Sequence, residues 1–258
     1  MGASVFAFSV AASNAAILIN ESFDYPAGPI ATLNGGSGFS GPYSGSATSA
    51  TTANGSVTAP GMTYPGVNAL GNKFTTAGAD NGAFRTFTTP IGTNTGVIFV
   101  RLLASLTSPT VVPGYAGISL LTGGGEELFF GKPSGTAYGF DVSGVAEDNA
   151  RGGTATTDTS LLVYRLTFGS TTDKIDFFFN PTGSTLGAPN ATFTTADNTP
   201  FPATFTGIRL QSGGGAFNFD EFRVATTEAE VLPIPEPSSL GLLGAALAGL
   251  ASRRRRRA

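Results

Sequence analysis

From Gly96 to Val224 the apolar residues recur at every second position in short segments, and nowhere at helical spacing. Side chains of an extended strand alternate between its two faces, so this period commits the chain to β-structure. In Leu161–Phe168 the residues Leu162, Tyr164, Leu166 and Phe168 share one face. Gly96–Leu106 is instead a nearly continuous apolar run, Val97-Ile98-Phe99-Val100-Arg101-Leu102-Leu103. Such a run predicts a central strand covered on both faces. The same reasoning predicts strands over Ala16–Phe23, Ala83–Thr88, Tyr115–Leu121, Glu126–Gly131, Thr136–Val142, Lys174–Asn180, Ala203–Gln211 and Phe217–Val224. Gly35–Ala59 is rich in Gly, Ser, Thr and Ala, and reads as a long loop or an irregular edge. Strands at this spacing with no helices between them predict an all-β fold, a two-sheet antiparallel sandwich.

Composition narrows the chemistry. The 258 residues include 36 Gly, which favours turns, and 21 Phe but no Trp. Cys and His are both absent. That removes disulfides, thiolate and imidazole metal sites, and Ser-His-Asp or Cys-His catalysis. Five of the 14 basic residues lie in the last six positions. The portion from Ile17 to Pro235 carries 16 acidic and nine basic residues, a net charge of about −7. A body of that sign is not drawn to nucleic acid, so no nucleic-acid partner is expected.

The C-terminal end has a different character. Pro235-Glu236-Pro237 leads through Ser238-Ser239 into an uncharged run from Leu240 to Ala251, containing Leu242, Leu243, Leu247 and Leu250. Arg253, Arg254, Arg255, Arg256 and Arg257 follow. The prolines bar helix upstream, and the Leu/Ala run favours it downstream. Twelve helical residues reach about 18 Å, short of the roughly 30 Å hydrocarbon core. The run is a marginal membrane segment, and the arginines would stop on its cytoplasmic side. Order, spacing and position resemble the PEP-CTERM sorting signal of bacterial surface proteins. The resemblance implies an exosortase as processing partner, with cleavage near Pro235-Glu236-Pro237. It also implies passage through the membrane and an envelope or exopolysaccharide destination in a Gram-negative-type bacterium. At the other end, small apolar residues from Ala3 to Ala12 precede Ser13-Asn14-Ala15-Ala16. This reads as a remnant signal peptide, although no Lys or Arg occurs before Lys73. The expected organisation is a signal remnant at 1–16, a β-sandwich at 17–230 and a sorting signal at 231–258.

The body resembles the laminin-G/concanavalin A-like jelly rolls. The resemblance rests on Leu128-Phe129-Phe130-Gly131-Lys132-Pro133 with Gly139-Phe140-Asp141. It rests also on Leu162-Val163-Tyr164-Arg165-Leu166 with Lys174–Pro181, which looks like a back-sheet hairpin. Phe219-Asp220-Glu221-Phe222-Arg223-Val224 looks like the family's final strand, returning beside the first. The resemblance implies a jelly-roll sandwich that often binds glycan or protein.

Candidate sites are few. Glu126-Glu127 and Asp220-Glu221 are sequence neighbours, so on regular strands the members of each pair point to opposite faces. They are expected not to converge as a catalytic pair, and one of each is expected to face inward against an arginine such as Arg209 or Arg223. No catalytic residue is expected. Glu147-Asp148-Asn149 is a weak calcium candidate, as are Asp80-Asn81-Gly82 and Asp197-Asn198, because calcium takes clustered loop oxygens. The glycine runs Gly123–Gly125 and Gly213–Gly215 read as hairpin turns. Tyr25, Tyr43, Tyr64, Tyr115 and Tyr138 are the candidate sugar-stacking rings. Two functions follow: a non-catalytic surface or matrix protein associated with exopolysaccharide, or a dedicated carbohydrate-binding module, calcium-assisted or not.

Overall fold

The computed structural model describes residues 16–45, 54–76, 78, 82–92, 96–108, 114–133, 135–145, 150–196, 201 and 204–233. The sorting motif, the apolar run and arginines behind it, the signal remnant and all three calcium candidates lie outside the described residues, Ala16 and Gly82 apart.

The described strands form two antiparallel sheets. The larger runs, in spatial order, β13 (Ala191–Thr194), β12 (Lys174–Phe179), β11 (Ser160–Phe168), β6 (Gly96–Leu106), β15 (Phe217–Ala225), β4 (Lys73–Thr75), β3 (Ser56–Thr58) and β2 (Gly28–Pro29). A ninth strand, β1 (Ile17–Glu21), also pairs with β15. The smaller sheet runs β10 (Arg151–Thr154), β9 (Ala137–Val142), β8 (Gly125–Lys132), β7 (Tyr115–Thr122), β14 (Thr204–Gly213) and β5 (Ala83–Gly92). The expected sandwich, the β11–β12 hairpin and the return of the last strand beside the first are all present. The sequence reading passed over β2, β3, β4, β10 and β13, each of two to four residues and too short to show a period. Gly213–Gly215 is not a hairpin turn, because β14 and β15 lie in different sheets.

The inner faces of the sheets make the main core. Leu162, Tyr164, Leu166 and Phe168 meet Ile118, Phe130, Phe140 and Ile208 there. Tyr164 stacks on Phe177 at 4.9 Å, and its hydroxyl donates to the Gly139 carbonyl at 2.9 Å, so its polar end is satisfied. Each such fully buried side chain contributes about 1.5–3 kcal/mol.

The outer face of the larger sheet is also apolar, which accounts for the unbroken run in β6. Phe99, Leu103, Leu161, Val163 and Phe178 form a second buried cluster there. Three pieces of chain cover it: Met62, Tyr64 and Val67 from one loop, Leu186 from another, and Val231 with Leu232 after β15. A 3-10 turn at Glu228–Glu230 aims those last two residues back onto the sheet.

The 28–45 segment is held by one buried ion pair. Arg85 Nη1 lies 2.7 Å from Glu21 Oε2, and both side chains are inaccessible to solvent. Arg85 also donates to Gly35 O at 2.9 Å, Asn34 Oδ1 at 2.9 Å and Gly41 O at 3.0 Å. Its guanidinium sits 3.9 Å from the centre of the Phe39 ring. Glu21 in turn accepts from Phe23 N and from the Tyr25 and Tyr43 hydroxyls. Burial and the Glu21 carboxylate raise both tyrosine pKa values.

Candidate functional site

Strand register brings distant residues into one row on the outer face of the smaller sheet. Phe84 on β5 is opposite Arg209 on β14, which is opposite Ser119 on β7. Ser119 is opposite Phe129 on β8, which is opposite Asp141 on β9. These residues alternate with Ile118, Leu128, Phe130, Phe140, Ile208 and Leu210 of the core, so all five point away from it. The adjacent row is Gln211, Gly117, Gly131, Gly139 and Arg151. Its middle three positions have no side chain.

The missing side chains let aromatic rings lie down on the sheet. A Cβ on Gly117 would come within 2.7 Å of Phe129 Cζ, and one on Gly213 within 2.7 Å of Tyr115 Cε1. Phe129 and Tyr115 therefore rest on glycines, edge to face with each other at 6.0 Å and 83°. Polar groups stand beside them. Glu126 accepts hydrogen bonds from Ser119 Oγ and Gln211 Nε2, and Gln211 Nε2 also donates to Ser119 Oγ at 2.9 Å. Arg151 lies 3.5 Å from Asp141, and the Arg209 guanidinium lies 5.4 Å from the Phe84 ring centre. Together Tyr115, Glu126, Phe129, Pro133, Asp141, Arg209 and Gln211 line a groove of about 340 Å³. Its volume is in the range of small-molecule sites. Phe129 is buried and backs the partly exposed Tyr115, so the groove presents one aromatic ring beside arginine, amide and carboxylate groups, which suits a ligand with an apolar face and several hydroxyls.

The other candidates have different fates. Of the five tyrosines, only Tyr115 enters the groove. Tyr25 and Tyr43 are tied to Glu21, Tyr138 is core, and Tyr64 packs on the second cluster. Glu126 and Glu127 do separate as expected, helped by a register shift where Leu120 and Leu121 pair with β8. Glu127 instead lines a different cavity with Val142, Phe193 and Phe201, and burial raises its pKa.

Asp220 and Glu221 correct the sequence reading. Phe219 and Phe222 both point into the core, so the two acids between them share the outer face. A bulge in β15 with Glu221 at φ +50° produces this. Glu221 pairs with Arg101 at 2.9 Å, not with Arg209 or Arg223. Every carboxylate oxygen of the pair accepts a bond: from Glu221 N and Met62 N on Asp220, and from Leu70 N and Arg101 on Glu221. These acids fasten the covering loop. Burial lifts the Asp220 pKa to about 8, against the pull of its two N–H donors. Arg101 is lowered to about 10 by burial and by the nearby Arg223 charge. Among the described residues, no three acidic side chains cluster as a metal site, and no helix is long and apolar enough to cross a membrane.

Residues 233–257 match the PEP-CTERM protein-sorting motif. That motif marks an exported protein sorted to the cell surface and processed by an exosortase. No curated protein matches the sequence. Among solved structures, the T. cruzi calreticulin globular domain shares the fold at 14% identity, covering 93% of this chain and 100% of that one, with a TM-score of 0.52. Domain 4 of AbnA, an extracellular arabinanase from Geobacillus stearothermophilus solved with arabinotriose, is 12% identical over 86% of this chain and 99% of its own, with a TM-score of 0.45. Peanut lectin is 10% identical over 67% and 90%, with a TM-score of 0.41.

Proposed function

We propose that the protein is a non-catalytic module displayed at the surface of a Gram-negative-type bacterium, where its body binds exopolysaccharide. The observation that supports this is the groove holding Tyr115 and Phe129 beside Arg209, Gln211, Glu126 and Asp141. Tyr115, partly exposed on its glycine seat, offers an apolar edge backed by the buried Phe129 ring, and the polar groups around it can pair with sugar hydroxyls. Residues 1–16 are removed on export, 17–230 form the binding body, and 231–258 direct sorting. Leu240–Ala251 enters the membrane during transit, and Arg253–Arg257 are absent from the finished protein.

The test is a glycan array probed with the processed protein, with and without calcium. Saturable binding to one polysaccharide class, weakened about tenfold by Arg209→Ala, is expected; tenfold is about 1.4 kcal/mol. No binding to any glycan, with retention of the protein in the matrix fraction, would leave a structural role in place of the binding one. Turnover of a polysaccharide would overturn the non-catalytic assignment.

A further inference from the structure

The chain enters its sorting motif directly from a buried clamp. Val231 has no solvent exposure and Leu232 only 4%. Both belong to the cluster with Phe99, Leu103, Leu161, Val163 and Phe178 on the outer face of the larger sheet. Pro233, where the motif match begins, is buried as well. Polar bonds set the approach. Val231 N and Leu232 N both donate to Glu228 O at 3.1 Å, and Arg223 Nη1 donates to Glu230 O at 2.9 Å. A fully extended residue spans at most about 3.6 Å. Pro235 therefore cannot stand more than about 7 Å from the anchored Pro233.

We infer that residues 228–233 are a strap that gates processing. The inference rests on the sorting reading and is independent of glycan binding. An enzyme that cuts near Pro235-Glu236-Pro237 must hold backbone on both sides of the bond. On the N-terminal side that backbone is the strap, and its side chains are packed against the folded body. The enzyme acts on the form in which the strap has lifted. Where lifting and reclosing are fast, the cutting rate follows the fraction of chains that are open. Closure is favoured because lifting exposes Val231, Leu232 and the part of the outer-face cluster that they cover. A chain that has not folded has no closed strap, so the gate slows processing only for a completed body.

The test follows the full-length protein in cells that carry an exosortase, by pulse-chase and intact mass. Two kinds of variant act on the gate differently. Val231→Ala weakens the clamp and is expected to speed conversion on the order of tenfold, from the methyl groups it removes. A six-residue Gly/Ser insertion between Pro233 and Ile234 leaves the clamp intact and moves the motif clear of the body. It is expected to speed conversion at least as much with no change in melting temperature. Combining the two should give no more than the insertion alone. Wild-type conversion rates in the insertion variant would overturn the gate, even if Val231→Ala fails to fold. Absence of conversion in every variant would remove the sorting reading, and the gate with it.

Discussion

Replacing Arg85 should cost more stability than replacing any exposed cation, and the size of the loss can be worked from its contacts. The side chain makes an ion pair with Glu21 at 2.7 Å and donates to three further acceptors, at Asn34, Gly35 and Gly41. In Arg85→Ala the Glu21 carboxylate stays buried, still holding Phe23 N and two tyrosine hydroxyls but facing no cation. Breaking a buried pair from one side costs about 3–5 kcal/mol. The remaining donors on Glu21 soften that, and the loss of the Phe39 stacking contact adds to it. The expected cost is therefore about 4 kcal/mol, a large share of the roughly 5–15 kcal/mol that holds a typical domain. Arg85→Lys keeps the charge, but an ammonium cannot reach all four acceptors at once, so about 2 kcal/mol is expected. Urea unfolding of the processed protein would show the midpoint falling with the slope unchanged. Glu21→Gln made on top of Arg85→Ala should cost almost nothing more, because the charge it removes has already lost its partner. An Arg85→Ala protein within 1 kcal/mol of wild type would falsify the claim that this pair pins the 28–45 segment.

Asp220 gives a pH dependence of defined sign. Its carboxyl titrates at about 8 in the folded protein and near 3.9 when unfolded. Between those values the folded state keeps a proton that the unfolded state has lost. Its contribution is full below about pH 4 and is lost as pH rises through about 8, at up to roughly 1.4 kcal/mol per pH unit. Asp220→Asn should flatten the decline between pH 5 and 8 in a series of urea titrations; identical slopes in the two proteins would refute the assignment. Gly139→Ala tests the glycine row. Its Cβ would collide with the Ala150 carbonyl oxygen and lie 3.1 Å from Arg151 Cα, both backbone atoms. A loss of about 1–3 kcal/mol is expected, or several degrees in Tm at about 2–4 °C per kcal/mol; an unchanged melt would mean that β10 yields freely.

What the sequence disclosed depended on how local each signal is. β6 was legible because its apolar run is nearly continuous over 11 residues, and β11 because its alternation holds along a strand of nine. The tail was legible because prolines, apolar run and arginines form one contiguous signature. β2 and β3 carry two and three residues, and they exist through pairing with partners elsewhere in the chain. The bulge at Asp220-Glu221 was hidden because a left-handed glutamate carries no compositional mark. The groove was hidden for a related reason. Tyr115, Phe129, Arg209 and Gln211 meet only through the register of β7, β8 and β14. The Arg85–Glu21 pair, 64 positions apart, joins β5 of one sheet to β1 of the other, so no local pattern announces it.

The place of β15 has a consequence for the order in which the body assembles. This last strand lies between β6 on one side and β4 and β1 on the other. An exported chain emerges from its N-terminus, so β1 leaves the membrane well before its partner. Asn20 and Arg223, which are hydrogen-bonded in the finished sheet, are 203 positions apart. Until β15 follows, the larger sheet exists as three separate parts, β13–β12–β11–β6, β4–β3–β2 and β1, and their union bears the closure entropy of nearly the whole chain. Transport and assembly then share an end point: the sheet closes only when all but the sorting tail has crossed, so a closed body certifies a fully delivered chain.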